Sequence, residues 1–149
     1  MNRRIMPDVI SPGQQLSILA PSTTVKEAVQ VMRDRHIGAV LVLEEQRLVG
    51  IFTERDVLTK VVAEERDPAA TQISEVMTRD PDTVSPDDAA IDALDRMSTR
   101  GYRHLPVVAG ERVVAIVSIR DLYAAVRRSL EGELRQRDAY IFGESYGTS

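Results

Sequence analysis

The chain repeats itself at an offset of 65 residues. Pro21, Ala28, Met32, Arg35, Val42, Arg47, Val49, Ile51, Arg55 and Asp56 recur as Pro86, Ala93, Met97, Arg100, Val107, Arg112, Val114, Ile116, Arg120 and Asp121. Conservative pairs lie between them: Leu43 with Val108, Gly50 with Ala115, Thr53 with Ser118 and Val57 with Leu122. An ungapped duplication of this kind predicts one supersecondary unit used twice and related by pseudo-symmetry. Two such units leave a cleft between them, and a site placed there comes in two related versions.

Each copy reads as strand, helix, strand, strand, helix. Val25, Ala28, Val29 and Met32 follow helical spacing, as do Ala90, Ala93, Leu94 and Met97. Ser22-Thr23-Thr24 supplies helix-start chemistry for the first helix, and Ser85-Pro86-Asp87-Asp88 is expected to open the second. Short apolar runs at Ala39–Leu43 and Leu105–Ala109 read as buried strands, followed by strands over Arg47–Phe52 and Arg112–Val117. Pro106 cannot donate to a ladder, so it is expected at the start or edge of its strand. The predicted fold is α+β: two pseudo-symmetric β-α-β-β-α repeats packed through their sheets, plus a C-terminal helical extension. The expected division is a lead-in over 1–15, repeats over 16–63 and 73–128, a charged linker over 64–72 carrying Asp67-Pro68, and a helix and tail over 129–149. Tyr140, Ile141 and Phe142 in that tail could strengthen a homodimer contact.

Composition narrows the function classes. Cysteine is absent, so disulfides and thiolate metal sites are excluded. No apolar run spans a membrane and no signal-peptide core follows Arg3-Arg4, which makes the cytoplasm the expected location. A net charge of −4 with 4% aromatics argues against broad nucleic-acid binding. No Cys nucleophile, metal-ligand cluster or P-loop is present, and no enzyme or catalytic cofactor is expected.

Each copy closes on a polar signature where strand gives way to helix: Thr53-Glu54-Arg55-Asp56 and Ser118-Ile119-Arg120-Asp121. The simpler reading is a capping box. The alternative uses the same geometry, because a helix start offers amide donors to a phosphate and a carboxylate offers acceptors to a ribose diol. Arg55 and Arg120 add charge nearby.

The signature Gly50-Ile51-Phe52-Thr53-Glu54-Arg55-Asp56, the segment Ile73-Ser74-Glu75-Val76-Met77-Thr78 and the run Gly101-Tyr102-Arg103-His104-Leu105-Pro106-Val107-Val108 together resemble a tandem pair of CBS domains, a Bateman module of the two-CBS, stand-alone type. The resemblance covers roughly residues 10–128. It implies adenosyl ligands in the cleft between the copies. By it, Thr53 and Asp56 would serve one site, and Ser118 and Asp121 the other, holding ribose and phosphate. Ile18, Ala20, Val84 and the backbone near Pro106 and Val40 would hold the base. Arg103 and His104, which replace Gly38 and Ala39 of the first copy, would contact phosphate. Stronger phosphate binding is therefore expected where Arg103, His104, Ser118 and Asp121 meet, with Arg120 close by. His36 ends the first helix and reads as a dipole partner.

The expected function is a regulatory module that binds an adenine nucleotide and signals to an unidentified partner protein by conformational change. AMP or ATP is favoured, with NADH and S-adenosylmethionine admissible, and the module is expected to be a homodimer. A ligand-independent dimerisation scaffold is one rival. A nucleic-acid-binding protein using Arg33, Arg35, Arg100 and Arg103 is the other, and the acidic net charge counts against it.

Overall fold

The structure, a computed structural model, describes residues 3–146, with side chains described as far as residue 138. The first copy runs β1 (Ile18–Leu19), α1 (Val25–Arg35), β2 (Ala39–Glu44), β3 (Arg47–Thr53) and α2 (Glu54–Asp56), the last continued by a π-helical turn over Val57–Val62. After a 3-10 turn at Ile73–Glu75 and β4 (Thr78–Arg79) come α3 (Ala90–Arg100), β5 (His104–Ala109), β6 (Arg112–Ser118) and α4 (Ile119–Tyr146). α4 passes through Gly132 without a break. The side chains of Tyr140, Ile141 and Phe142 lie outside the described residues.

The duplication is exact in strand register. Ala39 pairs with Thr53 and His104 with Ser118, and a bulge falls after Val42 and after Val107. The copies differ at their first strands. β1 lies parallel to β2 through Ile18–Leu41 and Leu19–Val42, while the second copy keeps only one bridge, Val84–Val107. Pro106 explains the loss. Leu41 donates its N–H to the Ser17 carbonyl, and Pro106 at the equivalent position has no N–H to donate. It sits third in β5 rather than at the start, with its nitrogen on the side away from β6, where its carbonyl accepts from Val84.

Each copy has its own apolar core, and each core is completed by residues from outside its repeat. Ile73, Val76 and Met77 pack with Val25, Ala28, Val40 and Phe52 of the first copy. Ile5 and Ile10 pack with Ala93, Met97, Leu105 and Leu122 of the second. The exchange also satisfies helix starts, which expose unpaired amides. The Val25 amide donates to the Thr71 carbonyl at 2.8 Å, and the Ala90 amide to the Arg3 carbonyl at 2.8 Å. Thr24 caps α1 as expected. α3, however, starts after Ala89, whose side chain cannot cap, and Ser85–Asp88 forms a separate turn ahead of it.

Candidate functional site

Both capping boxes are complete. The Asp56 carboxylate accepts from the Thr53 amide at 2.9 Å, and the Thr53 hydroxyl accepts from the Asp56 amide at 3.2 Å. Ser118 and Asp121 repeat the exchange at 3.0 Å in each direction. Lys60 lies 3.1 Å from the other Asp56 oxygen, and Asp56 is buried. A carboxylate that caps through one oxygen still has acceptor capacity on both.

The two signatures open into two clefts, of about 860 and 690 Å³. They are built crosswise. The larger, cleft 1, joins Ser118 and Asp121 of the second copy to Ser17 and the end of α1, including His36, from the first. Cleft 2 joins Thr53 and Asp56 of the first copy to Asp82 and the end of α3 from the second. The left-handed C-caps that turn the chain into each cleft are His36 (φ 55°) and Gly101 (φ 84°), at equivalent positions.

Arg103 and His104, expected beside Ser118 and Asp121, line both clefts, and so does Glu54, which the sequence reading did not single out. Glu54 lies against Gly38, where an added Cβ would stand 3.1 Å from its Oε1. Thr53, Asp56, Ser118, Arg120 and Asp121 all reach a cleft, whereas Ile18, Val84 and Pro106 do not. Val84 and Pro106 are buried in the second copy, and Ile18 is exposed while its neighbour Ser17 lines cleft 1. Successive strand residues face opposite ways, so an assignment one residue off selects the wrong face. The apolar cleft walls are instead Met32, Ile37, Leu41, Ile116 and Ile119 in cleft 1, and Ile51, Leu58 and Leu105 in cleft 2. Gln14 closes one edge of cleft 1: its amide group accepts from the Ile116 N–H at 2.9 Å and donates to the Ile116 carbonyl at 3.2 Å.

Charge separates the two. In cleft 1, Arg33, Arg103 and Arg120 face Glu54 and Asp121. In cleft 2, Arg55, Arg100 and Arg103 face Glu54, Asp56, Asp80 and Asp82. Two of those three arginines are already engaged, Arg55 with the Gly101 carbonyl at 2.7 Å and Arg100 with Asp82 at 2.7 Å. The pair Arg35–Ser17 at 2.9 Å is the first copy's equivalent of Arg100–Asp82. The Tyr102 hydroxyl donates to Asp82, and with Arg100 and Arg96 it holds that carboxyl below its ordinary range despite partial burial. Burial and the same carboxylate raise Tyr102. Burial also lowers His104, more than Glu54 and Asp121 raise it. His104 is thus a neutral imidazole near pH 7, able to donate one N–H but carrying no charge for a phosphate.

Among the described residues, no group of three or more His, Asp or Glu is placed to hold a metal ion, and no helix is long and apolar enough to cross a membrane.

The CBS domain family matches residues 5–63 and 73–128. The chain is 35% identical over 125 residues to CBS domain-containing protein CBSX3, mitochondrial, of Arabidopsis thaliana, covering 80% of this chain and 61% of that one. It spans about a fifth of several longer Arabidopsis thaliana relatives. A protein with CBS domains from Burkholderia ambifaria superposes with a TM-score of 0.78 at 30% identity, over 83% of this chain and 93% of its own. The CBS domain pair of protein MJ0100, solved with 5'-methylthioadenosine and S-adenosyl-L-methionine, shares the fold with a TM-score of 0.73 at 24% identity, over 89% and 99%. The chain belongs to the CBS-domain family and carries two CBS domains in tandem.

Proposed function

We propose that this CBS-domain pair is a regulatory module that binds a phosphorylated adenosyl ligand, AMP or ATP, in cleft 1. The observation that carries the reading is the composition of that cleft. A void of about 860 Å³ at the start of a long helix is lined by Ser17 and Ser118, two carboxylates and three arginines. That volume suits a mononucleotide. Asp121 would accept from the ribose hydroxyls and Ser118 would meet phosphate or ribose. Arg120, which makes no side-chain hydrogen bond or ion pair among the described residues, would meet phosphate together with Arg103. Ile116 and Ile119 would pack against the base. The adenosyl ligands of the MJ0100 pair support the ligand class.

Because the cleft walls come from different copies, a ligand spanning them changes their relative orientation, and a partner protein could read that change. Leu58 and Tyr123 occupy equivalent positions on the last helices of the two copies and are 63% and 57% exposed. They support a homodimer in which those helices meet a second chain. The scaffold reading also has an observation behind it, since both capping boxes are satisfied within the chain. Nucleic-acid binding loses support, because Arg35 is engaged with Ser17 and Arg100 with Asp82.

Calorimetric titration of AMP, ATP, NADH and S-adenosylmethionine into wild type, Arg120→Ala and Asp121→Asn tests the reading. Asparagine keeps a capping acceptor for the Ser118 amide, so the fold is retained. Saturable AMP or ATP binding, weakened at least tenfold in both variants, is the expected result. A folded wild type that binds none of the four would favour the scaffold.

A further inference from the structure

We propose that Arg103 couples the two clefts: an anionic ligand in one takes this shared cation and weakens anion binding in the other. The inference rests on the nucleotide reading above. The first copy has no counterpart to this residue, since Gly38 stands at the equivalent position. Main-chain anchors are the same in both copies, with Glu54 donating to the Gly38 carbonyl at 2.9 Å and Ile119 to the Arg103 carbonyl at 2.8 Å. The backbone of Arg103 is thus tied to the start of α4. Arg103 is exposed, its side chain has no hydrogen-bond or ion-pair partner among the described residues, and the residue lines both clefts.

The two clefts depend on it unequally. Cleft 1 also has Arg120, which is uncommitted, and Arg33, whose only partner among the described residues is the exposed Asp34. In cleft 2, Arg55 and Arg100 are held by Gly101 and Asp82, which leaves Arg103 as its free arginine among the described residues. A phosphate that takes both arms of the guanidinium fork in one cleft leaves no bidentate pairing for the other. When a phosphate in cleft 1 draws Arg103 across, cleft 2 keeps four carboxylates and two committed arginines. Coupling of this kind is reciprocal. Loss of one charge-assisted contact is worth about tenfold in affinity, or about 1.4 kcal/mol.

The test is calorimetric titration of AMP into wild type, Asp121→Asn, Arg103→Ala and Arg103→Lys, and into the two Arg103 variants combined with Asp121→Asn, with thermal melts confirming the fold of each. In wild type, AMP fills cleft 1 first and cleft 2 in a second step. In Asp121→Asn, with cleft 1 weakened, cleft 2 should bind AMP about tenfold more tightly than in the second step of wild type. That gain should vanish in the Arg103→Ala background and persist with Arg103→Lys, which keeps a cation. Equal cleft 2 affinity in wild type and Asp121→Asn overturns the coupling but leaves the nucleotide reading intact. So does a cleft 2 that takes no AMP in Asp121→Asn, or a gain that survives Arg103→Ala. Wild type that binds no AMP at all overturns both.

Discussion

Gly50 and Ala115 are equivalent residues, yet the first position should resist the methyl group that the second carries. β3 passes close to the buried Met77 at Gly50. A Cβ there would collide with the Met77 Sδ and stand 3.0 Å from both Cγ and Cε, so the whole side chain must move rather than its tip. Overpacking of this kind costs about 1–3 kcal/mol. The lower chain entropy of alanine offsets roughly 0.5–1 kcal/mol of that. Gly50→Ala should therefore lose a net of up to ~2.5 kcal/mol, lowering Tm by up to about 10 °C for a domain of this size. The sign is the discriminating feature. In a Met77→Ala background the colliding atoms are gone and only the entropic gain remains, so the same substitution should become stabilising by roughly 0.5–1 kcal/mol. Urea denaturation followed by circular dichroism on the four proteins of this cycle measures both numbers. An equal effect of Gly50→Ala in the two backgrounds would refute the steric argument. Because Ile51 pairs with Thr78 and both line cleft 2, the variant should also disturb that cleft before it disturbs cleft 1.

Two further outcomes follow from the same geometry. His104 titrates below its ordinary value in the folded chain because it is buried, so as pH falls below about 6.5 the unfolded chain takes up its proton first. This residue's contribution is complete above that pH and lost as pH drops toward the folded value. Stability measured from pH 7.5 down to 5.5 should fall less steeply in His104→Asn, and parallel curves would show that the imidazole is not the group responsible. Ile5 is fully buried in the second core although it lies far from that core in sequence. Ile5→Ala should cost about 2–5 kcal/mol, with hydrogen exchange accelerating first in α3, whose opening amide is held by the Arg3 carbonyl. A loss below about 0.5 kcal/mol would mean that the N-terminal segment is not part of the core.

What could be read from the sequence was whatever the duplication carries locally. Helical spacing around Met32 and Met97, the paired apolar strands and the two signatures all depend on near neighbours, and their register is identical in both copies. The features that escaped are those in which one copy depends on the other. Ser85 looked like the natural cap for α3, yet the helix starts later and takes its acceptor from Arg3, a backbone carbonyl that no side-chain pattern reveals. Ile73 and Met77 open the second matched domain, yet their side chains fill the core of the first. Ile18 lies outside the cleft that its neighbour Ser17 lines, and a strand of two residues is too short to show which face is inward. Glu54 lines both clefts against Gly38, a residue of the turn before β2, and that placement comes from the tertiary fold rather than from any local pattern.

The asymmetry between the clefts shows what duplication permits. The two hairpins agree in register, yet the rims differ at equivalent positions: Ser17 becomes Asp82, Ile37 becomes Tyr102, Gly38 becomes Arg103 and Ala39 becomes His104. Each change is on a cleft wall and none alters the strand pairing, so the second copy could acquire charge without losing register. The new groups largely neutralise one another inside cleft 2, where Asp82 takes the Tyr102 hydroxyl and the Arg100 guanidinium. Arg103 takes no part in this pairing among the described residues, and it lines the neighbouring cleft as well. Pseudo-symmetry thus predicts the number of clefts, while the few rim positions that break it set how charge is divided between them.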